Sequence, residues 1–339
     1  MTCVLALAAC RARSDAPTRV HKAGDDRGTA ARALTPELAE PAADGYTAAY
    51  TRAMPWIESI AQKDDAARRD AALAAVESAL AASDPREVQA GLVALTQTSG
   101  AGYDKMRFRA SVRAQLDARD AAVRRSAYYA LFEIGAEPAD VERALRLAAD
   151  GHPLVRDSAA HIITLYRGGD LTGDAARAIE TLLDDPASQL ATLRGIWGAR
   201  VSPSLASRVL SLSRSDSVEL AHAAIYFALS TFQDKSQAVV ARLVEALADP
   251  DPKIVNRAQW GLSQGVPEAL WPEVADALLA HFAQSTSRMS RIDALRAVGK
   301  IGDEKHAAVL ADFVNRRGGS PEMLEIARQA VDDIRARTK

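Results

Sequence analysis

A spacing of about 34 residues runs through most of this chain, and it restricts the fold more than any single motif does. Leu92, Ala127, Ala159, Gly195, Ala224, Ala258, Ala294 and Ala327 recur at that step, and all but the first are small. A second series keeps the same step independently: Asp84, Asp120, Asp150, Asp185, Asp216, Asp251, Ser287 and Ser320. Pro85, Pro186, Pro252 and Pro321 directly follow members of this polar series. A short polar side chain at a helix N-cap accepts a hydrogen bond from an otherwise orphaned amide, and proline at the first helical position gives up nothing by lacking its N–H. The polar series therefore marks helix starts, and the small series marks a close contact inside each helix. Gly135, Gly168, Gly265 and Gly302 stand where such helices should stop.

A second apolar-periodic stretch lies between successive members, as in Val141–Asp150, Ala175–Asp185, Ala238–Asp249 and His306–Asn315. Each repeat thus reads as a helix A, a turn and a helix B. The series gives eight such pairs over 64–337, with a capping helix in 44–63 centred on Gly45–Ala61. Alanine is abundant and β-branched runs are scarce, which favours helix, and the expected class is all-α. One pair cannot bury its own apolar faces, whereas a stack of neighbours can.

Periods near this length also occur in tetratricopeptide and ankyrin arrays, but the Trp-Leu-Gly-Tyr pattern of the first and the Thr-Pro-Leu-His turn of the second are absent. The repeats resemble the short, phycobilisome-lyase-like HEAT type, carried most closely by Asp120, Val123, Arg124, Ala127, Ala130, Leu131, Ile134 and Gly135. Val155, Arg156 and Ala159 match in the next repeat. That resemblance implies a right-handed α-α superhelix of HEAT/armadillo type with about eight helix pairs. It says little about function, because such solenoids serve scaffolds, lyase subunits and nucleic-acid enzymes alike.

The N-terminal stretch bears on location. Leu7-Ala8-Ala9-Cys10 resembles the lipobox of bacterial lipoproteins, and the chain turns polar directly after it. The resemblance implies a signal remnant at 1–9, removal before Cys10, and a lipid on its thiol. Met1–Cys3 carries no basic side chain and the apolar run Val4–Ala9 is short, so the expectation includes a start upstream of Met1. Residues 10–43 mix charged, proline, glycine and alanine residues with no hydrophobic period, and read as a flexible tether. The expected address is the bacterial cell envelope, lipid-anchored, with Arg11 after the cysteine favouring the outer membrane. A cytoplasmic protein with a chance apolar start is the alternative.

No catalytic constellation stands out, so the chain reads as a non-enzyme with no cofactor and no metal. Both cysteines, Cys3 and Cys10, lie at the extreme N-terminus, which leaves no thiolate chemistry downstream. Gly299-Lys300 lacks the glycine spacing of a phosphate loop. Asp157, Ser158 and His161 resemble a triad but share one helix, so Asp157 and His161 read as an i,i+4 pair on a solvated face. A net charge of −2, with Glu133, Asp157 and Asp293 set among Arg125, Arg194, Arg257, Arg296 and Lys300, argues against a nucleic-acid partner.

The residue two beyond each small anchor gives Ala94, Tyr129, His161, Trp197, Tyr226, Trp260, Arg296 and Gln329. Two helical steps rotate by about 200°, which turns this stripe away from the core-facing anchor. In arrays of this type helix B lines the concave face. Tyr129, His161, Trp197, Tyr226, Trp260 and Arg296 would then line a groove that holds a protein or peptide, since Tyr, Trp and Arg are common interface anchors. The competing reading packs the same rings between neighbouring B helices as filler. The favoured function is a lipid-anchored, non-enzymatic HEAT-type scaffold that binds a protein through its concave face. A cytosolic enzyme or enzyme subunit, like a bilin lyase or a DNA glycosylase, and a purely structural spacer are the alternatives.

Overall fold

The computed structural model describes residues 42–62 and 64–337. The Cys10 anchor, the 1–9 signal remnant and all but the last two residues of the 10–43 tether lie outside the described residues. The chain divides into units 1–47 and 48–339, and the architecture below is that of the second. It is all-α: the described residues form seventeen α-helices and one parallel pair of two-residue strands. No helix among them is long and apolar enough to cross a membrane.

Helix α1 (Ala42–Ala61) precedes eight pairs. The A helices are α2 (Ala66–Leu80), α4 (Arg109–Ala114), α6 (Pro138–Leu145), α8 (Gly173–Asp184), α10 (Pro203–Leu212), α12 (Gln237–Glu245), α14 (Trp271–Gln284) and α16 (Glu304–Asn315). The B helices are α3 (Pro85–Gln97), α5 (Ala121–Ile134), α7 (Pro153–Tyr166), α9 (Gln189–Gly195), α11 (Val218–Ala223), α13 (Pro252–Leu262), α15 (Arg288–Ile301) and α17 (Pro321–Arg337). Helix α11 runs on into a single π-helical turn, Ala224–Leu229. Each A helix packs on its own B helix, and each B helix packs on the next, so the unit is a one-dimensional stack with a continuous apolar core. B helices lie closer to one another than A helices do.

Helix α13 shows how the sequence sets each element. The Asp251 carboxylate accepts the Lys253 N–H at 2.8 Å, and Pro252 occupies the first turn. Ile254, Ala258 and Leu262 follow at four-residue steps and are all buried, each large one contributing about 1.5–3 kcal/mol relative to exposure. The helix stops at Ser263, two residues before Gly265, whose φ of +62° suits glycine.

All eight anchors of the small series are buried. Gly195 shows why size matters there, and Gly261, three residues past the Ala258 anchor, shows the same demand on its helix. A Cβ on Gly195 would sit 2.6 Å from the His161 backbone nitrogen, and one on Gly261 would sit 2.8 Å from Ser230 Cα. Neighbouring B helices therefore meet backbone to backbone at these points.

The polar series is correct at five members and displaced at three. Asp84, Asp120, Asp251 and Ser287 cap α3, α5, α13 and α15, and the Ser320 Oγ accepts the Met323 N–H. Asp150 does not cap α7; His152 does, through Nδ1. Asp150 instead takes two bonds from the Arg124 guanidinium, at 2.8 and 3.1 Å, and one from the His152 N–H. Burial pushes its carboxyl up, but those donors outweigh burial and hold it below the ordinary value. Asp185 ends α8 and accepts from Ala187 N–H and Ser188 Oγ, with Ser188 at the α9 N-cap position. Ser217, not Asp216, caps α11. In the first two cases an extra turn separates the aspartate from its helix, and the carboxylate braces that turn.

One edge of the array is joined repeat to repeat by hydrogen bonds. The strands β1 (Asp170–Leu171) and β2 (Arg200–Val201) follow α7 and α9, and Arg200 N–H donates to Gly169 O at 2.8 Å. Gly198 N–H donates to Thr231 Oγ1, and Gln233 N–H donates to Ala199 O, both at 3.0 Å. Buried Lys235 completes the series: its Nζ donates to Phe232 O and Gln264 O, each at 2.7 Å. Burial pushes this ammonium down to about 8. The unfolded chain, with a lysine near 10.4, holds the proton over a window in which the folded chain has released it. Stability should therefore rise with pH between about 8 and 10.4 relative to a Lys235→Met variant, and urea titrations of the two at several pH values check the sign. Parallel profiles would contradict it.

Candidate functional site

The middle of the B face is built around Arg257 on α13. Its Cζ lies 4.0 Å from the Trp197 ring centre, 4.3 Å from Trp260 and 5.0 Å from Tyr226. Cation–π contacts at this range contribute about 0.5–2 kcal/mol each, more when desolvated. Trp197 and Trp260 are 38% and 42% exposed and form the outer walls; Tyr226 is half-buried beneath them. Tyr226 stands edge-on to Phe227 at 4.9 Å, and Phe227 in turn contacts the Trp197 ring.

The π turn explains how Arg257 is held. Ser230 N–H donates five residues back to Ile225 O, and Thr231 N–H donates to Ala228 O. The Tyr226 carbonyl is thereby left out of the backbone ladder. It accepts Ser230 Oγ and Arg257 Nε instead, both at 2.9 Å, and Nε also reaches Ser230 Oγ at 3.1 Å. Nη2 is sealed from solvent with no hydrogen-bond partner. Burial pushes the guanidinium down to about 10, so it keeps its charge at neutral pH.

The expected stripe is only partly a single surface. Trp197, Tyr226 and Trp260 converge on Arg257. Tyr129 and His161 form a separate half-buried pair, ring centres 5.8 Å apart, on neighbouring helices α5 and α7. Arg296 is exposed and pairs with Asp293 at 3.4 Å, one turn back on α15. Ala94 is fully buried, so the stripe does not reach the first repeat as an exposed row. Trp197 stands in the turn after α9, which ends early at Gly195, rather than on a helix. The expected Asp157–His161 ion pair does not form. Burial raises the Asp157 carboxyl and lowers His161, whose ring lies against Tyr129. Among the described residues no group of three or more His, Cys, Asp or Glu side chains is arranged to hold a metal ion.

Arg257 was not part of the expected stripe. A local signal for it exists: Arg194-Gly-Ile-Trp197 and Arg257-Ala-Gln-Trp260 carry arginine three residues before tryptophan in two repeats. On a helix that spacing puts guanidinium and indole on one face, as at Arg257 and Trp260, whereas Trp197 lies past the end of α9. Arg194 makes a longer version of the contact, 5.7 Å over Phe227, and stands 4.0 Å from Glu219.

No family model matches the chain, and no curated protein matches it. Among solved structures, human deoxyhypusine hydroxylase in complex with glycerol is similar at 19% identity over 76% of this chain and 98% of that one, with a TM-score of 0.28. An engineered protein is similar at 14% identity over 84% of this chain and 97% of its own, with a TM-score of 0.22. At these values the fold rests on the helix stacking itself.

Proposed function

We propose that this chain is a non-enzymatic binding scaffold of the HEAT type that holds a protein or peptide against its B-helix face. One observation carries the reading: two tryptophans, each more than a third exposed, stand beside a positive charge in the middle of that face. Large aromatics and arginine are the side chains most often found as interface anchors, and they act best when clustered. The closer spacing of the B helices supports placing this face on the inner side of the curve.

The test separates recognition from packing. The Trp197→Ala/Trp260→Ala double variant should lose about 2–3 kcal/mol of stability per ring, because each ring is about three-fifths buried and gives up that share of a buried ring's packing along with its cation–π contact. Fully buried rings would cost about 3–5 kcal/mol each. Proteins retained from envelope extracts by the wild-type chain should be lost from the folded double variant, corresponding to about 2 kcal/mol or more per true anchor. Equal retention, or a loss of stability on the buried scale, would refute the reading.

The same proposal places the scaffold at the bacterial envelope through a lipid on Cys10, on the strength of Leu7-Ala8-Ala9-Cys10. Two acyl chains at about 0.8 kcal/mol per buried CH₂ suffice for stable anchoring. Cys10→Ala, expressed with the native N-terminal region, should move the protein from the membrane to the soluble fraction. Unchanged fractionation would overturn the anchor and leave the groove untouched.

A further inference from the structure

The arginines along the B face differ in how their charge is met. Arg194 has Glu219 at 4.0 Å and Arg296 has Asp293 at 3.4 Å. Arg257, between them, has no carboxylate within ion-pair reach among the described residues; it has three rings, one carbonyl and one hydroxyl. Its Nε is used, Nη2 has no acceptor, and Nη1 makes no hydrogen bond to the described residues. The walls are donors as well. The Trp271 indole N–H reaches Val266 O at 3.0 Å, whereas the Trp197 and Trp260 side chains make ring contacts only.

The cluster therefore offers several N–H donors around one positive charge that no carboxylate offsets. A guanidinium and an indole N–H can only donate, so their natural occupant is a group that only accepts. One uncompensated charge matches one negative charge. A phosphate, near two negative charges, calls for clustered cations, and the adjacent arginines are already paired. The indoles add apolar walls that exclude water and strengthen the ion pair. Nη2 is sealed from solvent, so an occupant reaches it only when one of the indoles, each more than a third exposed, turns aside, a motion of picoseconds to nanoseconds for exposed side chains.

We infer that Arg257, Trp197 and Trp260 form a carboxylate-binding site, and that the scaffold's partner docks by setting an aspartate or glutamate side chain against the edge of the guanidinium that the two indoles flank. The inference rests on the groove reading above and adds the chemistry of the anchor. Selectivity comes from Arg257, which can pair bidentately with a carboxylate but leaves an uncharged amide without a matching ion.

The test uses the full chain labelled with ¹⁵N and the indole N–H signals of its four tryptophans. Trp197→Phe and Trp260→Phe variants assign the two signals. Blocked peptides acetyl-Ala-Glu-Ala-Glu-Ala-amide, its Gln isostere and its phosphoserine counterpart are titrated in turn. The expected result is saturable movement of the Trp197 and Trp260 signals with the Glu peptide, at least ten-fold weaker affinity for the Gln peptide, and no gain for phosphoserine. Arg257→Gln, with folding checked by its remaining indole signals, should abolish the difference between Glu and Gln; Arg257→Lys should keep part of it. Equal binding of the Glu and Gln peptides would overturn the carboxylate site while leaving the groove standing. Tighter binding of phosphoserine, or no movement with any peptide, would overturn it too, and the extract experiment would then decide the groove separately.

Discussion

Replacing Ala258 with arginine should unfold the middle of the array. Ala258 is completely buried on α13, between the π turn and α15. A longer side chain has no space there, and its charge would have no partner. Burying an unpaired charge and overpacking a helix contact are two of the few mechanisms that cost more than about 4 kcal/mol. Because each repeat leans only on its neighbours, amide protection should fall first in α11, α13 and α15 and last in α3 and α5, the repeats farthest along the stack. Hydrogen exchange resolved by mass spectrometry checks this; uniform loss, or none, would show that Ala258 does not sit at a packed contact.

The second large effect is expected at Gly195, where alanine alone should suffice. Its Cβ would meet His161 N at 2.6 Å, Ala160 Cβ at 2.8 Å and Ala160 C at 3.0 Å. None of these is the end of a flexible side chain, so α7 and α9 must separate. Overpacking of this kind costs about 1–3 kcal/mol. The shift also moves Trp197, two residues on, relative to Arg257. Gly195→Ala should therefore lower the melting temperature and alter the Trp197 indole environment together. A stable variant with an unchanged Trp197 signal would show that the two helices are not in backbone contact.

Much of this fold was legible because one physical demand repeats. Where neighbouring B helices touch, only a small residue fits, so Ala127, Ala159, Gly195, Ala224, Ala258, Ala294 and Ala327 recur and are all buried. Caps were legible wherever the aspartate or serine sits directly before the helix, as at Asp120 and Asp251. They were misplaced at Asp150 and Asp185, where a carboxylate stabilises a turn one step earlier and composition alone looks the same. The site was legible as three aromatics and no further. Joining Trp197, Tyr226 and Trp260 through Arg257 depends on an early end to α9 and a π turn after α11, and neither leaves a residue pattern that periodicity can detect.

The hydrogen bonds that join the ends of successive B helices give the array a direction of stiffness. From Gly169 and Ala199 through Thr231 to Gln264, four consecutive repeats are tied along one edge by backbone and lysine bonds. The A helices are joined across repeats by long side chains instead, as where Arg242 donates to Ser213 O at 2.9 Å and Lys305 to Asp276 at 2.9 Å; such side chains can turn to follow a shift, whereas a backbone hydrogen bond loses most of its strength over a fraction of an ångström. Under tension such a body does not lengthen like a uniform spring. It hinges about the tied edge, the A helices fanning apart while the distances among Trp197, Tyr226, Arg257 and Trp260 stay nearly constant. A load on the ends would change the array's curvature before it changed the grip at its centre.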